Sequence, residues 1–395
     1  MQRTGATQRV ADGDSRRAVR VSAVPDAPIV LIEPVEGAGD RLGAAWDDLA
    51  AAAAEPNAFA ERWFVMAGVR HLCPPAFRRL IEVWEGDRLT GLLPVVIDPR
   101  YGRLPLRHVV NWLHHHSFLG TPLVRAGRER AFWAAVLAVL DDARWAGGLL
   151  HINGLVEDGP VHRGLATAAA TLGRRCDTVH RVVRAQLDAG LDPEAYLETH
   201  VRKKKRKELK RLAARLAEQG TLTTRRLADA GEVSDWCDDF LALEASGWKG
   251  RAGSALGSTP ETAGFFCEML AGAWSAGRLE MLRMDLDGRP IAMLVNFLTA
   301  PGSFSFKIAF DEDHARFSPG VLIQIENLRL LDRADIAWMD SCAAENHPMI
   351  DSLWGGRRTI VRVTVPLGGL RGRVTFALAR GLEDGWAWAR RRLGR

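Results

Sequence analysis

Residues 303–331, which read SFSFKIAFDEDHARFSPGVLIQIENLRLL, decide the fold. The apolar alternation of Ser303–Phe310 predicts a strand, because successive side chains of a strand point to opposite faces. The polar residues 311–318 predict a turn, and Pro319-Gly320 begins a helix that runs to about Arg333. A strand, a loop and a helix in that order indicate an α/β unit.

The start of this helix is a candidate anion site. The N–H groups and the positive dipole end of a helix N-terminus favour a phosphate group. Ser318 is placed to cap the helix, Gly320 has no side chain to keep a pyrophosphate from the backbone, and Arg316 adds positive charge. A plain capped helix is the alternative interpretation.

The same order of elements occurs twice, which indicates two copies of one α/β unit. Residues 80–94 and 282–294 each read as a strand, a tight turn with glycine and a second strand. A helix and an apolar strand then follow each hairpin, predicted at 128–146 and 148–155 in the first half and at 319–334 and 336–342 in the second.

Length and composition support two domains. The 395 residues, 47% of them hydrophobic, can form two separate cores. The predicted fold class is α/β, with mixed sheets in two tandem domains. We expect a disordered leader at 1–27, an N-terminal domain at 28–185, a C-terminal domain at 186–375 and an amphipathic helix at 376–395.

The cysteines and the N-terminus favour a cytoplasmic protein. No apolar run approaches the ~20 residues that span a bilayer, and the N-terminus lacks the apolar region of a secretory signal. The five cysteines are scattered without CxxC spacing, at Cys73, Cys176, Cys237, Cys267 and Cys342. This argues against a disulfide scaffold and a zinc site, so we expect a reducing compartment.

Further motifs occur in order along residues 30–375. They are Phe59, Trp63, Gly91–Pro94, Ser117–Leu123 and the basic helix Lys203–Arg211, then Glu244–Gly250 (EASGWKG), Lys307–Glu312, Ser318–Gly320 and Trp354. In this order they resemble the GNAT superfamily. More closely, they resemble its tandem-domain group of BioF2-like or cellulose-biosynthesis-associated acetyltransferases, distant relatives of the FemABX peptidyltransferases.

This resemblance implies an N-acyltransferase that uses acetyl-CoA or another acyl-CoA as co-substrate and needs no metal. The first domain is then a degenerate copy that shapes the acceptor side. The chain departs from the usual R/Q-x-x-G-x-G/A loop, because one glycine is missing and Pro319 has no N–H. The donor is placed in a V-shaped cleft, at Lys307, Ile308, Ala309, Phe310, Arg316, Ser318, Gly320 and Val321.

Attack of an amine on a thioester requires a base for the ammonium proton and a donor for the oxyanion, which a strand N–H can supply. The candidate bases are Asp311, Glu312, Asp340 and Glu244, each of which has a plain turn or strand-end carboxylate as its alternative. His347, a turn residue before Pro348, is a further candidate for an acid–base role.

The acceptor side has two candidate regions. Glycines around Trp248 and Lys249 predict a loop that folds over the acceptor or the acyl group. In the first domain, His115 and His116 are predicted to line a pocket wall. Neighbouring residues of a strand point to opposite faces, so the run His114–His116 does not suit a single metal ion.

The charge pattern leaves the partner open. A net charge of +5, densest in Arg202–Lys207, favours anionic partners. Such a run is ordinarily a solvated helix face, yet it also suits RNA or an anionic membrane. The tail, with Trp386 and Trp388 beside arginines, suits peripheral contact with the inner membrane face. The acceptor classes in keeping with these features are a lipid or sphingoid amine and a polysaccharide amino sugar.

Two other functions stay open. A FemABX-like transferase would use aminoacyl-tRNA as its donor, would bind nucleic acid through residues 202–211 and would bind CoA weakly. A non-catalytic binding protein would bind neither donor, and the missing loop glycine would then reflect lost CoA binding.

Overall fold

The computed structural model describes residues 8–10, 17–20, 28–72 and 78–392. The strands are β1 (Gln8–Val10), β2 (Arg17–Arg20), β3 (Ile29–Pro34), β4 (Arg79–Glu85), β5 (Arg88–Asp98), β6 (His108–Asn111), β7 (Leu123–Val124), β8 (Leu149–Val156), β9 (Asp177–Asp188), β10 (Leu222–Arg226), β11 (Leu279–Leu286), β12 (Arg289–Thr299), β13 (Gly302–Phe310), β14 (Trp338–Asp340) and β15 (Gly356–Pro366). The helices are α1 (Ala38–Ala51), α2 (Arg62–His71), α3 (Glu129–Asp142), α4 (Pro160–Thr171), α5 (Pro193–His200), α6 (Lys203–Ala217), α7 (Val233–Ser246), α8 (Trp248–Arg251), α9 (Pro260–Ser275), α10 (Pro319–Asn327), α11 (Pro348–Asp351) and α12 (Gly369–Arg392). No helix of the described residues is long and apolar enough to cross a membrane.

The first compact unit contains the described residues up to Arg62, from Arg78 to Arg181, and from Ile360 onward. Strands β3, β4, β5 and β6 pair antiparallel in that order. After α3 the chain returns as β8, which lies parallel to β6, and β15 closes the sheet antiparallel to β8. Phe132 and Trp133 of α3 pack with Ile152 of β8 in the buried core, so the apolar face of α3 covers the sheet.

The second compact unit contains the described residues from Trp63 to Leu72 and Val182–Thr359. Strands β10, β11, β12 and β13 pair antiparallel, β14 lies parallel to β13, and β9 closes the sheet antiparallel to β14. Helix α10 connects β13 to β14, and its Leu322 and Ile323 pack in the core with Leu294 of β12. The two units therefore share one strand plan, and the predicted class of mixed α/β with two tandem copies is confirmed.

Each unit takes its closing strand from the other half of the sequence. In the second unit, Gln186–Asp188 of β9 pair with β14. In the first unit, Ile360–Pro366 of β15 pair with β8, and Val361, Val363 and Val365 are fully buried there. The structure therefore differs from the predicted domain end at residue 375, because the core that buries β15 belongs to the first unit.

Helix α2 also differs from its predicted place in the N-terminal domain. Its Trp63 ring lies 4.9 Å from the ring of Phe297, and the Phe64 ring lies 5.6 Å from that of Phe265. Its Arg70 and His71 pair with Glu268. These aromatic and ionic contacts place most of the helix in the second unit, although the chain reaches it early.

The stretch 192–220 contains two helices, α5 and α6, because the buried Val201 between them is extended at φ −107° and ψ 122°. One further expectation needs correction. The structure also contains a disulfide that the scattered cysteines did not predict, between Cys237 of α7 and Cys267 of α9. Spacing along the chain does not reveal which helices will lie side by side.

The predicted leader 1–27 falls mostly outside the described residues. Where it is described it contains two short strands, β1 and β2. Arg17–Arg20 of β2 pair antiparallel with Ile29–Ile32 of β3, so those four residues extend the first sheet.

Candidate functional site

The candidate site is a gap between two strands of the second unit. Strands β13 and β14 pair only between Gly302–Phe304 and Trp338–Asp340, while β13 continues to Phe310. The register of β13 on β12 shifts at Phe306, which is the mark of a bulge that bends a strand. Beyond Phe304, β13 has β12 as its one partner among the described strands, so the backbone groups on its other side face the gap.

Two adjoining cavities occupy this region and share the side chains of Lys249, Ile308, His347 and Met349. The outer cavity measures about 380 Å³. Its walls are the end of α7, helix α8, the end of β13 and the start of α11. The inner cavity measures about 150 Å³ and includes Lys307, Gln324 and Cys342.

An ion pair with a buried carboxylate and a half-buried lysine forms one wall of the cleft. Glu244 falls on the buried face of α7, and 4% of its surface is exposed. Its Oε1 accepts a hydrogen bond from Lys249 Nζ at 2.7 Å, and its Oε2 accepts one from Leu256 N–H at 2.7 Å. The carboxylate thereby holds Lys249 beside both cavities.

Helix α8 is fixed to the end of β13 by Glu312. Its Oε1 accepts from Trp248 N–H at 2.7 Å and its Oε2 accepts from Arg251 Nη2 at 2.6 Å. These hydrogen bonds, the one from Arg251 first, lower the pKa of Glu312 and weaken it as a proton acceptor. The Trp248 side chain is 57% exposed and lines the outer cavity. The segment that was predicted as a loop is the short helix α8.

Lys307 projects from β13 into the inner cavity. Its burial and the positive charge of Lys249 lower the pKa of Lys307 from 10.5 to about 8, against the opposing charge of Glu244. Burial also raises the pKa of the Cys342 thiol well above its usual range. Cys342 therefore lines the cavity as a neutral thiol and does not suit the role of a nucleophile.

Asp340 lies at the base of the gap and is fully buried. Its Oδ2 accepts hydrogen bonds from Arg184 at 2.6 Å and from Arg358 at 3.2 Å, and its Oδ1 accepts from Cys342 N–H at 2.9 Å. This carboxylate joins β9, β14 and β15 through their side chains. Of the four candidate bases it is the one with two arginine partners.

Asp311 caps the turn after β13. Its Oδ1 accepts from Asp313 N–H at 2.9 Å, and its Oδ2 lies 2.9 Å from His314 Nδ1. The turn that was expected from the run 311–318 is present as a short 3-10 segment, Glu312–Phe317. Asp311 is absent from the walls of both cavities.

The start of α10 is more closed than the sequence suggested. Ser318 is its N-cap, with φ 55° and ψ 51°, but the side chain makes no capping bond. The Ser318 carbonyl accepts from both Val321 N–H and Leu322 N–H, and Pro319 has no N–H. A Cβ on Gly320 would lie 3.1 Å from the Phe310 ring, so the missing side chain serves helix-to-strand packing. Arg316 beside it is exposed and its Nη2 lies 3.4 Å from Gln219 Oε1.

The sequence pattern indicated His347 only as a further acid–base candidate in a turn. It precedes α11 and lines both cavities. Within the part of the chain that the structure describes, its Nδ1 is buried and has no hydrogen-bond partner. The one signal in the sequence was its place before Pro348, which begins a helix.

The run His114–His116 lies in the first unit, after β6. The ring centroids of His114 and His116 are 6.0 Å apart. Burial, followed by the charges of its two neighbours, lowers the pKa of His114 to about 3, so it is neutral at physiological pH. His115 and His116 remain candidates for an acceptor wall.

Potential metal ligands in the described residues form one group, Cys237, Asp238 and Cys267. Both of its sulfur atoms belong to the disulfide.

Residues 203–348 match the model of a family described as an acetyltransferase (GNAT) domain. No curated protein sequence matches the chain. The structure is similar to that of FemX, with a TM-score of 0.54 at 10% identity over 81% of this chain and 94% of FemX. It is also similar to a protein of unknown function from Bacteroides thetaiotaomicron, with a TM-score of 0.51 at 10% identity over 82% of this chain and 97% of the other. A tandem GNAT protein from the clavulanic acid biosynthesis pathway matches over 86% of this chain and 99% of its own, at 20% identity and a TM-score of 0.43.

Proposed function

Because residues 203–348 match the model of a GNAT acetyltransferase domain, we propose that the protein is an acyltransferase of the GNAT superfamily. In this proposal it transfers an acyl group from an acyl-CoA thioester to an amine in the cleft of the second unit. The observation that carries this proposal is the separation of β13 from β14 beyond Phe304. The separation leaves one edge of β13 free for a ligand, beside two cavities with an ion pair in their wall.

The donor half of the proposal rests on β13 and the start of α10. Backbone N–H groups on the free edge of β13 can donate to a carbonyl oxygen as it becomes an oxyanion, which stabilises the tetrahedral intermediate. Because Val321 and Leu322 already bond to Ser318, the anion site is reduced to Gly320 N–H and the exposed Arg316. We assign these two groups to the phosphates of CoA.

The acceptor half rests on Trp248, Lys249 and His347. The amine nitrogen attacks the thioester carbon, the bond from carbon to sulfur breaks, and the CoA thiolate leaves with the electron pair. The nitrogen must lose a proton before or during attack. The oxygens of Glu244, Glu312 and Asp340 are engaged by cations or N–H groups, whereas His347 Nδ1 is not engaged among the described residues. We therefore place the proton on His347, with Glu244 and Lys249 positioning the acceptor.

The test of the donor is thermal unfolding of the full chain with CoA, acetyl-CoA and palmitoyl-CoA. A ligand at 100 times its Kd adds about 2.7 kcal/mol to the free energy of unfolding, so a clear rise in Tm is expected. Arg316→Ala should reduce this rise, whereas Arg289→Ala should not, because Arg289 is an exposed arginine at the start of β12. No rise with any of the three would contradict the proposal. A larger rise with palmitoyl-CoA favours a lipid or sphingoid amine, and one with acetyl-CoA favours an amino sugar.

The role of His347 is tested by thiol release from acyl-CoA with glucosamine or a sphingoid base as the acceptor. Loss of a general base lowers kcat by about 10²–10⁴, so His347→Ala should lower kcat with little change in KM. The rate of the variant should rise with pH as more of the free amine is deprotonated. The exposed His180→Ala is the matched control. A His347→Ala variant with the wild-type kcat would remove this residue from proton transfer.

A second candidate function is supported by one observation. Helix α6 exposes the side chains of Lys203, Lys204, Lys207 and Lys210 on one basic surface. Such a surface suits the phosphates of an aminoacyl-tRNA donor. If charged tRNA raises Tm and the acyl-CoA species do not, and the rise falls steeply with salt, the donor is tRNA.

A further inference from the structure

Helix α12 docks on the first unit by one face. Phe376 and Ala379 are buried in a cluster with Tyr101 and Leu149. Arg380 on the same side pairs with Asp177 at 3.3 Å and with Glu383 at 2.7 Å. Gly372, one turn before Phe376, is also buried. The face of α12 that packs on the first unit therefore consists of Gly372, Phe376, Ala379 and Arg380.

The opposite face of α12 is apolar and exposed. Leu370, Val374, Leu378 and Leu382 are 78%, 48%, 51% and 45% exposed. They are spaced four residues apart, so they form one row along the helix, which we call the outer stripe. Half of the exposed large apolar side chains of the described residues lie in this row, which makes it a patch and not scattered exposure.

The charges beside the start of the outer stripe are positive. Arg371 and Arg373 are exposed at its start, and residues 369–382 contain no aspartate or glutamate. Glu383 lies in the salt bridge of the docked side. Exposed apolar side chains with flanking arginines are the pattern of a helix that lies in the interface of an anionic bilayer.

We propose that the outer stripe of α12 docks the protein on an anionic phospholipid surface. Leu370, Val374, Leu378 and Leu382 enter the boundary between headgroups and acyl chains, and Arg371 and Arg373 contact the lipid phosphates. This proposal concerns the first unit and does not depend on the acyl-CoA reaction.

The size of the stripe separates a membrane from a second copy of the chain. A stable protein interface buries about 800 Å² per partner and involves roughly 20–30 residues on each side. Four apolar side chains and two arginines on one helix fall well short of that. A bilayer requires no matching surface, so a single helix face is sufficient for it.

The experiment is flotation of the full chain with vesicles of phosphatidylcholine alone or mixed with phosphatidylglycerol. We expect binding to the anionic vesicles that falls as salt is added. Leu370→Gln/Leu378→Gln should weaken binding at least about tenfold, because two large apolar groups no longer enter the lipid. Arg371→Gln/Arg373→Gln should weaken vesicle binding by a similar factor at low salt but not at high salt. Leu172→Gln, an exposed leucine after α4, is the matched control and should bind like the wild type.

Three results would overturn the proposal. The first is an absence of binding to anionic vesicles. The second is binding by the Leu370→Gln/Leu378→Gln variant equal to that of the Leu172→Gln control, which would place the contact elsewhere, for example in the tail after Gly385. The third is a stable dimer in light scattering that the stripe variant dissociates, which would assign the face to a second copy. Unchanged Tm values of the variants show that any loss is not unfolding.

Discussion

At the scale of the residue, the surroundings of Lys307 in the cleft disfavour its positive charge. Burial of its ammonium group, and secondly the positive charge of Lys249, lower the pKa of Lys307 to about 8. The folded state therefore disfavours protonation of Lys307, whereas the unfolded chain does not. An anion in the inner cavity would relieve this cost, which suits the proposed contact with an anionic donor.

The pH dependence of stability follows from that shift. Between pH 8 and pH 10.5 the unfolded chain binds more protons at Lys307 than the folded one, so the cost in the wild type disappears as pH rises through this window. Lys307→Met should therefore be more stable than the wild type by about 3 kcal/mol below pH 8, with the difference vanishing near pH 10.5. Urea unfolding across this range measures it. The exposed Lys210→Met is the control, and a difference independent of pH would contradict the assignment.

The carboxylates divide by what they contact. Asp340 is fully buried between Arg184 and Arg358. If its negative charge were removed, the two buried arginines would lose the carboxylate that they share. Glu244 and Glu312 each fix a segment of the cleft wall. All three are therefore strong candidates for positioning, and the proton acceptor is better sought at His347.

At the scale of the element, the disulfide constrains the segment that forms the outer cavity. Cys237 of α7 and Cys267 of α9 are 30 residues apart, and the chain between them contains Glu244, Trp248 and Lys249. A cross-link of this kind restricts the unfolded chain and holds α7 against α9. It therefore bears on both stability and the cleft.

Reduction of the disulfide should lower the free energy of unfolding by about 2–4 kcal/mol. Urea unfolding with and without dithiothreitol measures this. The Cys237→Ser/Cys267→Ser variant should match the reduced wild type and should not respond to the reductant. Equal stability of the wild type in both conditions would show that the pair does not form in solution.

Helix α10 illustrates a packing constraint on a predicted ligand site. Gly320 faces the Phe310 ring, so an aspartate there would enter an apolar contact as well as repel phosphate. Gly320→Asp thus changes the fold locally and cannot isolate donor binding. The exposed Arg316 is the better position for a test of donor binding. Its side chain makes one long hydrogen bond, to Gln219, and one ring contact, to Phe317.

At the scale of the whole molecule, the two halves of the sequence depend on each other. Strand β9 of the first half pairs in the second unit, and strand β15 of the second half pairs in the first unit. The strand that closes the first sheet is made last, after all of the second unit. Its pairing with β8 is a contact of long sequence separation, which folds slowly and has a high entropic cost of loop closure.

A chain that ends at Thr359 should therefore fail to fold its first unit. It lacks Val361, Val363 and Val365, all fully buried, and it leaves β8 with an open edge. We expect aggregation or loss of the cooperative unfolding transition, measured by circular dichroism and size exclusion. A chain that ends at Gly368 keeps β15 and loses α12, and it should fold. Cooperative unfolding of both units in the shorter chain would contradict the role of β15.

Local patterns determined the elements of this protein. The hairpins at 80–94 and 282–294 are β4–β5 and β11–β12, and the expected helix and strand follow each one. The glycines at those turns, the proline at the start of α10 and the apolar periodicity all act within a few residues, so they can be read from the sequence. The same short-range order carried the resemblance to the GNAT superfamily, which the match over residues 203–348 supports.

Tertiary structure alone decided what lies beside what. It placed β9, β15 and α2 in the unit that is formed mainly by the other half of the sequence. It also paired Cys237 with Cys267 and buried Asp340 between two arginines. It also turned Gly320 toward Phe310 and placed His347 in the walls of the same cavities as Lys249, about 100 residues earlier in the chain. These outcomes depend on contacts between distant segments, and no local pattern encodes them because hydrophobic burial and ion pairing act between any surfaces that the fold brings together.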